Sequence, residues 1–303
     1  MIGANPMTAI KATGICKSFG KKQALTKLNL EVSEPGIIGL VGRNGAGKTT
    51  LLKLCAGLSA PTSGKLDIWG ASPLNNLKVL SELIYSYHDV SYSSGLKLQT
   101  IIGDYALLYP NFDTDFARGL LTHFDLDPKA RYAGLSQGSK SVFNFICALA
   151  TRAPLTMLDE PTLGMDVAVR KAAYDILIEE YAQHPRTVII SSHLMAELEN
   201  ILDDLIIIDK GTLVLHDSIE NVRQSAYRLS GSDAVLKDFT KGKKALQFTG
   251  GETRSSAIIY EPVAEPEAKA AAALGLELSA VRPEDLYLYL TQESKGGDLP
   301  CLW

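Results

Sequence analysis

The sequence predicts an α/β fold with a mostly parallel sheet. Three observations carry that expectation. A continuous apolar run, Gly36-Ile37-Ile38-Gly39-Leu40-Val41, leads into a glycine-rich turn and then into helical periodicity over Thr49–Gly57. A second run, Leu155-Thr156-Met157-Leu158, ends in Asp159-Glu160-Pro161. A third, Thr187–Ser192, follows a helical stretch at Val167–Tyr181. Short apolar runs alternating with helices are the pattern of strands buried on both faces and joined by helical crossovers.

Composition sets the frame. The chain has 303 residues, 46% hydrophobic and 21% charged, a globular profile long enough for two domains. Its net charge of −4 argues against a protein held on nucleic-acid phosphates, so no nucleic-acid partner is expected. No apolar run approaches the roughly 18 residues that span a bilayer. Leu205–Ile208, for example, is bounded by Asp203, Asp204 and Asp209. Met1–Pro6 has neither a basic start nor an apolar core, so no secretory signal is expected, and Met7 can equally serve as the start. Cys16, Cys55, Cys147 and Cys301 form no C-x-x-C pair, which fits a reducing cytoplasm better than a zinc or disulfide framework.

Taken in order, residues 8 to about 40 alternate apolar and polar, with turns at Gly20–Lys22 and Glu34–Gly36, and read as the first strands. Residues 74 to 140 are rich in helix signals, with helices expected at Ile101–Tyr109 and Thr114–Phe124 and a break at Pro110 and Asn111. Thr156 is the polar exception in its apolar run, and local hydrogen bonding can satisfy it. A helix at Leu194–Leu202 precedes a hairpin of Leu205–Asp209 and Leu213–His216 around Lys210-Gly211. After about residue 222 the composition shifts. Strands are expected at Ala226–Ser230, Ala245–Thr249, Ala257–Tyr260 and Leu276–Ala280, and helices at Asp233–Phe239, Glu265–Leu274 and beyond Pro283. The first six of these follow a ferredoxin-like order. Lys295–Trp303 reads as a loose tail.

Gly42-Arg43-Asn44-Gly45-Ala46-Gly47-Lys48-Thr49 fits G-x-x-x-x-G-K-[ST] at every fixed position, between a strand and a helix. Glycines let backbone N–H groups turn in around an anion, and the helix N-terminus adds its dipole. Lys48 is expected to reach the β- and γ-phosphates and the Thr49 hydroxyl to hold Mg²⁺. The phosphate-binding run is therefore Gly42, Arg43, Asn44, Gly45, Ala46, Gly47, Lys48, Thr49 and Thr50, for a nucleoside triphosphate such as ATP with Mg²⁺. Asp159 is expected to be the second Mg²⁺ anchor, directly or through water, and Glu160 to polarise the attacking water. His193, in Ser191-Ser192-His193, ends the next strand and faces the ligand crevice.

With these motifs in place, the sequence resembles the ATPase subunit of ABC transporters over roughly residues 8–220. Leu135-Ser136-Gln137-Gly138-Ser139 resembles the family signature L-S-G-G-Q, with Gln137 and Ser139 as departures, and Ser136 lies 23 residues before Asp159. Phe19 resembles the aromatic that stacks on adenine, the alternative being a core phenylalanine. Leu163-Gly164-Met165-Asp166 resembles the D-loop, with Leu163 where serine is usual, and His193 matches the switch histidine. The Q-loop glutamine is missing from Ile84-Tyr85-Ser86-Tyr87-His88-Asp89, where His88 aligns best with it and Asp89 is the next candidate.

The resemblance implies an ABC-type P-loop NTPase core at 1–222, with a helical subdomain at about 75–145, and a small α+β C-terminal domain at 223–303. It implies catalysis by Glu160, His193 and Lys48. It also implies a head-to-tail dimer with a second ATPase subunit, in which Ser136 and Gly138 serve the facing chain's ATP. An integral-membrane permease would be the other partner, placing the chain on the cytoplasmic face of the membrane. Arg282-Pro283-Glu284-Asp285-Leu286-Tyr287 resembles a pattern in ATPases serving ABC-2-type exporters. Tyr109-Pro110-Asn111-Phe112-Asp113 points to the bacterial group of Ytr-type and bacitracin-resistance ATPases. Two other readings stand beside a transporter ATPase. One is a soluble ABC ATPase with no permease, against which the single ATPase domain and the lack of long coiled coils or zinc motifs count. The other is a regulatory subunit of low activity, which the altered Q-loop and D-loop favour and Glu160 and His193 oppose.

Overall fold

A computed structural model describes residues 8–33, 35–251 and 254–291. Glu34 of the expected turn, Met1–Pro6 with Met7, and the expected tail Lys295–Trp303 with Cys301 lie outside the described residues. The described residues form two compact units. One runs to Leu194 and includes Asn200–His216; the other takes Met195–Glu199 and the residues from Asp217 onward.

In the first unit, β1 (Thr8–Phe19) and β2 (Lys22–Ser33) form a hairpin, followed by β3 (Gly36–Val41) and α1 (Lys48–Cys55). Next come β4 (Ser63–Ile68), α2 (Leu77–Leu80), β5 (Leu83–Tyr87), α3 (Leu98–Leu108), α4 (Thr114–His123) and α5 (Gln137–Ala150). β6 (Leu155–Asp159), α6 (Val167–Gln183) and β7 (Thr187–Ser192) complete the crossovers. After α7 (Met195–Leu198), which belongs to the second unit, β8 (Asp204–Asp209) and β9 (Thr212–Ser218) close the sheet.

The main sheet has six strands in the order β5-β6-β7-β3-β8-β9. Its pairs from β5 through β8 are all parallel, as the apolar runs imply. Every residue of β3, β6 and β7 is buried, so both sheet faces are covered. β1, β2 and β4 stand apart as a three-stranded antiparallel sheet. β4 and α5 are among the elements that the sequence pattern does not reveal, as are the short helix α2 and the helix Ile219–Gln224 of the second unit. β4 has only three buried residues, Leu66–Ile68, and so a weak alternation. α5 is buried at every position from Ser141 to Ala150, so it has no amphipathic period to read.

In the second unit, α8 (Ile219–Gln224) precedes β10 (Tyr227–Gly231), α9 (Asp233–Phe239), β11 (Ala245–Thr249), β12 (Ser255–Ile259), α10 (Glu265–Ala273) and β13 (Glu277–Ala280), and α11 (Pro283–Thr291) follows. The strands pair antiparallel in the order β11-β12-β10-β13, the arrangement a ferredoxin-like chain order produces. Tyr227, Leu229, Leu236, Ala257, Ile259, Ala271 and Leu276 form its core.

Candidate active site

β3 ends at Val41 and the chain turns back on itself before α1. Gly45 and Gly47 have φ of +82° and +115°, which side chains rarely adopt. At Gly42 a Cβ would meet the Ile208 carbonyl at 2.4 Å, so glycine is required there by space. The loop thus wraps around the start of α1, where Lys48 is buried and donates to the Gly42 carbonyl at 2.7 Å. Its Nζ lies 3.4 Å from Glu160 Oε1.

Glu160 is the first residue past β6 and has φ of +51°. Its N–H donates to both the carbonyl and the hydroxyl of Ser191, at 3.2 and 3.0 Å, which holds the sharp exit from the strand. That exit turns the Glu160 carboxylate out toward Lys48 and toward His193, whose Nδ1 is 2.8 Å from Oε2. Lys48, Glu160 and His193 therefore form one continuous chain of polar contacts. They line a cleft of about 460 Å³ together with the glycine loop, Thr49, Thr50, Phe19 and His88.

Asp159, one residue earlier, is 2% exposed and sits beneath this surface. Each of its carboxylate oxygens receives a hydroxyl: Ser191 donates to Oδ1 at 2.5 Å and Tyr85 to Oδ2 at 2.9 Å. Ser191 is the directly opposed residue on β7, while Tyr85 reaches diagonally from β5. Burial first, and then the Asp159 charge, push the Tyr85 phenol far above its ordinary ionisation range, so it remains a donor.

Phe19 is 56% exposed at the cleft mouth, with Lys17 Nζ 5.0 Å from its ring centre, which removes the core-phenylalanine alternative. His88 reaches the cleft; its Nε2 lies 3.2 Å from Asp89, and its Nδ1 is buried with no hydrogen-bond partner. The residues Leu135, Ser136, Gln137, Gly138 and Ser139 are not among those lining this cleft. Ser136 caps α5, accepting from the Ser139 N–H at 3.1 Å and donating to its hydroxyl at 2.9 Å. Asp166 caps α6 through the Val169 N–H. The signature and D-loop segments pack on each other, since a Cβ at Gly138 would meet the Gly164 carbonyl at 2.4 Å and Ser141 donates to the Leu163 carbonyl at 2.6 Å.

Sequence reasoning missed Tyr85, Ser191 and Lys22, all at or under the cleft, and Leu163 of the D-loop segment lines it too. For Tyr85 and Ser191 the available signal was a polar group near the end of a buried strand. Among the described residues no cluster of three or more His, Cys, Asp or Glu can cage a metal alone. One buried carboxylate and one hydroxyl, Asp159 and Thr49, fit Mg²⁺, which takes few protein oxygens and completes its shell with phosphates and water.

The sequence profile of the ABC transporter family matches residues 25–163. The chain is 30% identical over 210 residues to the bacitracin transport ATP-binding protein BcrA of Bacillus licheniformis, covering 68% of this chain and 69% of that protein. It is 24% identical over 220 residues to the ABC transporter ATP-binding protein YtrB of Bacillus subtilis, covering 73% and 75%. A solved structure of an ATP-binding subunit of an ABC transporter superposes with a TM-score of 0.63 at 24% identity, over 71% of this chain and 92% of that one.

Proposed function

The chain belongs to the ABC transporter ATP-binding family, and we propose that it powers a separate transmembrane permease, acting as an exporter, through ATP-driven closing and opening of a head-to-tail dimer. It is an ATPase of that family. The observation that carries the assignment of roles is the polar chain Lys48–Glu160–His193 at the mouth of the glycine loop.

In this mechanism adenine stacks on exposed Phe19 and the phosphates enter the ring of N–H groups from Gly42 to Thr50. Lys48 exchanges the Gly42 carbonyl for phosphate oxygens, which frees the Glu160 carboxylate. Glu160 then orients water and accepts its proton as the γ-phosphate is attacked. His193 fixes the Glu160 carboxylate through Nδ1 and presents its other nitrogen to the cleft. Thr49 and Asp159 would hold Mg²⁺, which when bound would supply neutralisation of the charge that builds on the phosphates.

The placement of Ser136 outside its own chain's cleft supports a second subunit, whose ATP the signature segment would cap. ATP held by two faces favours the closed dimer, and loss of the γ-phosphate removes that bridge. We assign the ATP-binding domain to 1–222, with the helical subdomain at about 75–145 contacting the permease, and the accessory domain to 223–303. No helix among the described residues is long and apolar enough to cross a membrane. The proposed location is the cytoplasmic face, held there by the permease.

The test is a pull-down of the chain from native membranes with and without ATP. A co-purifying multi-spanning protein is expected; ribosomal or DNA-repair proteins with no integral membrane protein would overturn the transporter assignment. Glu160→Gln is expected to shift the chain to a larger species on gel filtration with ATP, and an unchanged elution volume would overturn the dimer.

A further inference from the structure

Asp159, the carboxylate assigned to Mg²⁺, is not among the residues lining the cleft. It is buried, and a buried carboxylate is free to rotate about its last bond unless donors hold both oxygens. Here two donors do so from opposite sides, Ser191 from β7 and Tyr85 from β5. Ser191 also accepts the Glu160 N–H, so it is shared between two tasks. Among the described residues the Tyr85 hydroxyl bonds Asp159 alone, and its ring stacks on Tyr87 with centroids 5.2 Å apart. β5 leads directly to His88, the residue in the glutamine's place. His88 is turned to Asp89, and the hydroxyl that ties β5 to the metal carboxylate comes from Tyr85 instead.

We propose that Tyr85 is a positioning residue for Mg²⁺ binding: its hydroxyl, 2.9 Å from Asp159 Oδ2, fixes the orientation of the carboxylate that would hold the metal. It acts through Asp159 and touches neither nucleotide nor metal. This inference rests on the reading of the cleft given under Proposed function. The physical reason is that a carboxylate held at both oxygens loses no further freedom when a cation binds. Removing one donor leaves a buried charge short of a partner and able to turn away.

The experiment uses the full chain with Mn²⁺ as the probe. Free Mn²⁺ is titrated by electron paramagnetic resonance with a non-hydrolysable ATP analogue present, and nucleotide affinity is measured separately in EDTA. Tyr85→Phe keeps the ring and its stack and removes only the hydroxyl. It is expected to weaken Mn²⁺ binding about tenfold, equivalent to about 1.4 kcal/mol, with metal-free nucleotide affinity unchanged. Tyr87→Phe, which removes the neighbouring hydroxyl, is expected to change neither. Wild-type Mn²⁺ affinity in Tyr85→Phe would overturn the proposal. So would an equal loss in Tyr87→Phe, or a parallel loss of nucleotide affinity in EDTA, because either would trace the effect to packing. If the wild-type chain binds the analogue but holds no Mn²⁺ with it, the metal assignment itself falls; if it binds neither, the reading of the cleft falls with it.

Discussion

At the carboxyl ends of β3, β6 and β7, Lys48, Glu160 and His193 converge on open space. At the amino ends of β6 and β7, Asp113, Arg152, Glu180 and Arg186 converge on one another. Arg152 spans Asp113 at 2.9 Å and Glu180 at 3.1 Å, and Arg186 lies 3.7 Å from Glu180. Arg186 also donates to Thr156, to the His184 carbonyl and to the Leu149 carbonyl. Burial pushes its guanidinium down from its ordinary value while Glu180 opposes that shift. A cleft of about 1000 Å³ opens at this end, more than twice the volume of the one at the glycine loop. Size does not make it the active site. Its buried charges spend their hydrogen bonds within the protein, whereas Lys48 and Glu160 sit 3.4 Å apart beside N–H groups that can receive phosphate. A saturated cluster holds elements together; an unsaturated one is available to a ligand.

The contrast makes sharp predictions. The largest effect expected is from Glu160→Gln, which should cut ATP turnover about a thousandfold with melting temperature unchanged, checked by phosphate release and calorimetry. Glu180→Ala is the opposite case. It leaves Arg186 without a carboxylate and Arg152 with Asp113 alone, and should cost about 3 kcal/mol of stability in urea titration, while the folded protein binds ATP as before. A folded Glu180→Ala chain with impaired ATP affinity would break the distinction between the two ends. Lys48→Ala should weaken MgATP binding about a hundredfold by calorimetric titration, again without unfolding the chain. Phe19→Ala, at an exposed position, should weaken ATP about tenfold and leave a triphosphate without a base unaffected. Equal losses for both ligands would show that Phe19 acts by shaping the loop.

Much of the catalytic end was legible because it is local. Gly42, Gly45 and Gly47 are demanded by backbone geometry and close approach, Lys48 and Thr49 follow at fixed spacing, and Asp159-Glu160 terminates a recognisable buried strand. The ferredoxin-like order of the second unit was legible for the same reason, since six short elements alternate with clear breaks. The partners of Asp159 were not. Tyr85 lies 74 residues away and Ser191 lies 32 away, and only the order β5-β6-β7 brings them to its two sides. Tyr109-Pro110-Asn111-Phe112-Asp113, which drew notice as a family resemblance, turns out to carry a load at the other end. Asp113 caps α4 and pairs with Arg152, and Tyr105 stacks on Tyr109 and Phe112.

The alternation of strands and helices, the phosphate-binding turn and the acidic strand end follow from local residue order, because they depend on the period of apolar residues and on the steric freedom of glycine over a few positions. Tertiary structure alone decided that Phe19 is exposed, that Ser136 lies outside the lining of the cleft at its own glycine loop, and that Asp159 is held from both sides. Those facts depend on which strands become neighbours, and strand order is settled by burial of the whole sheet rather than by any segment of it.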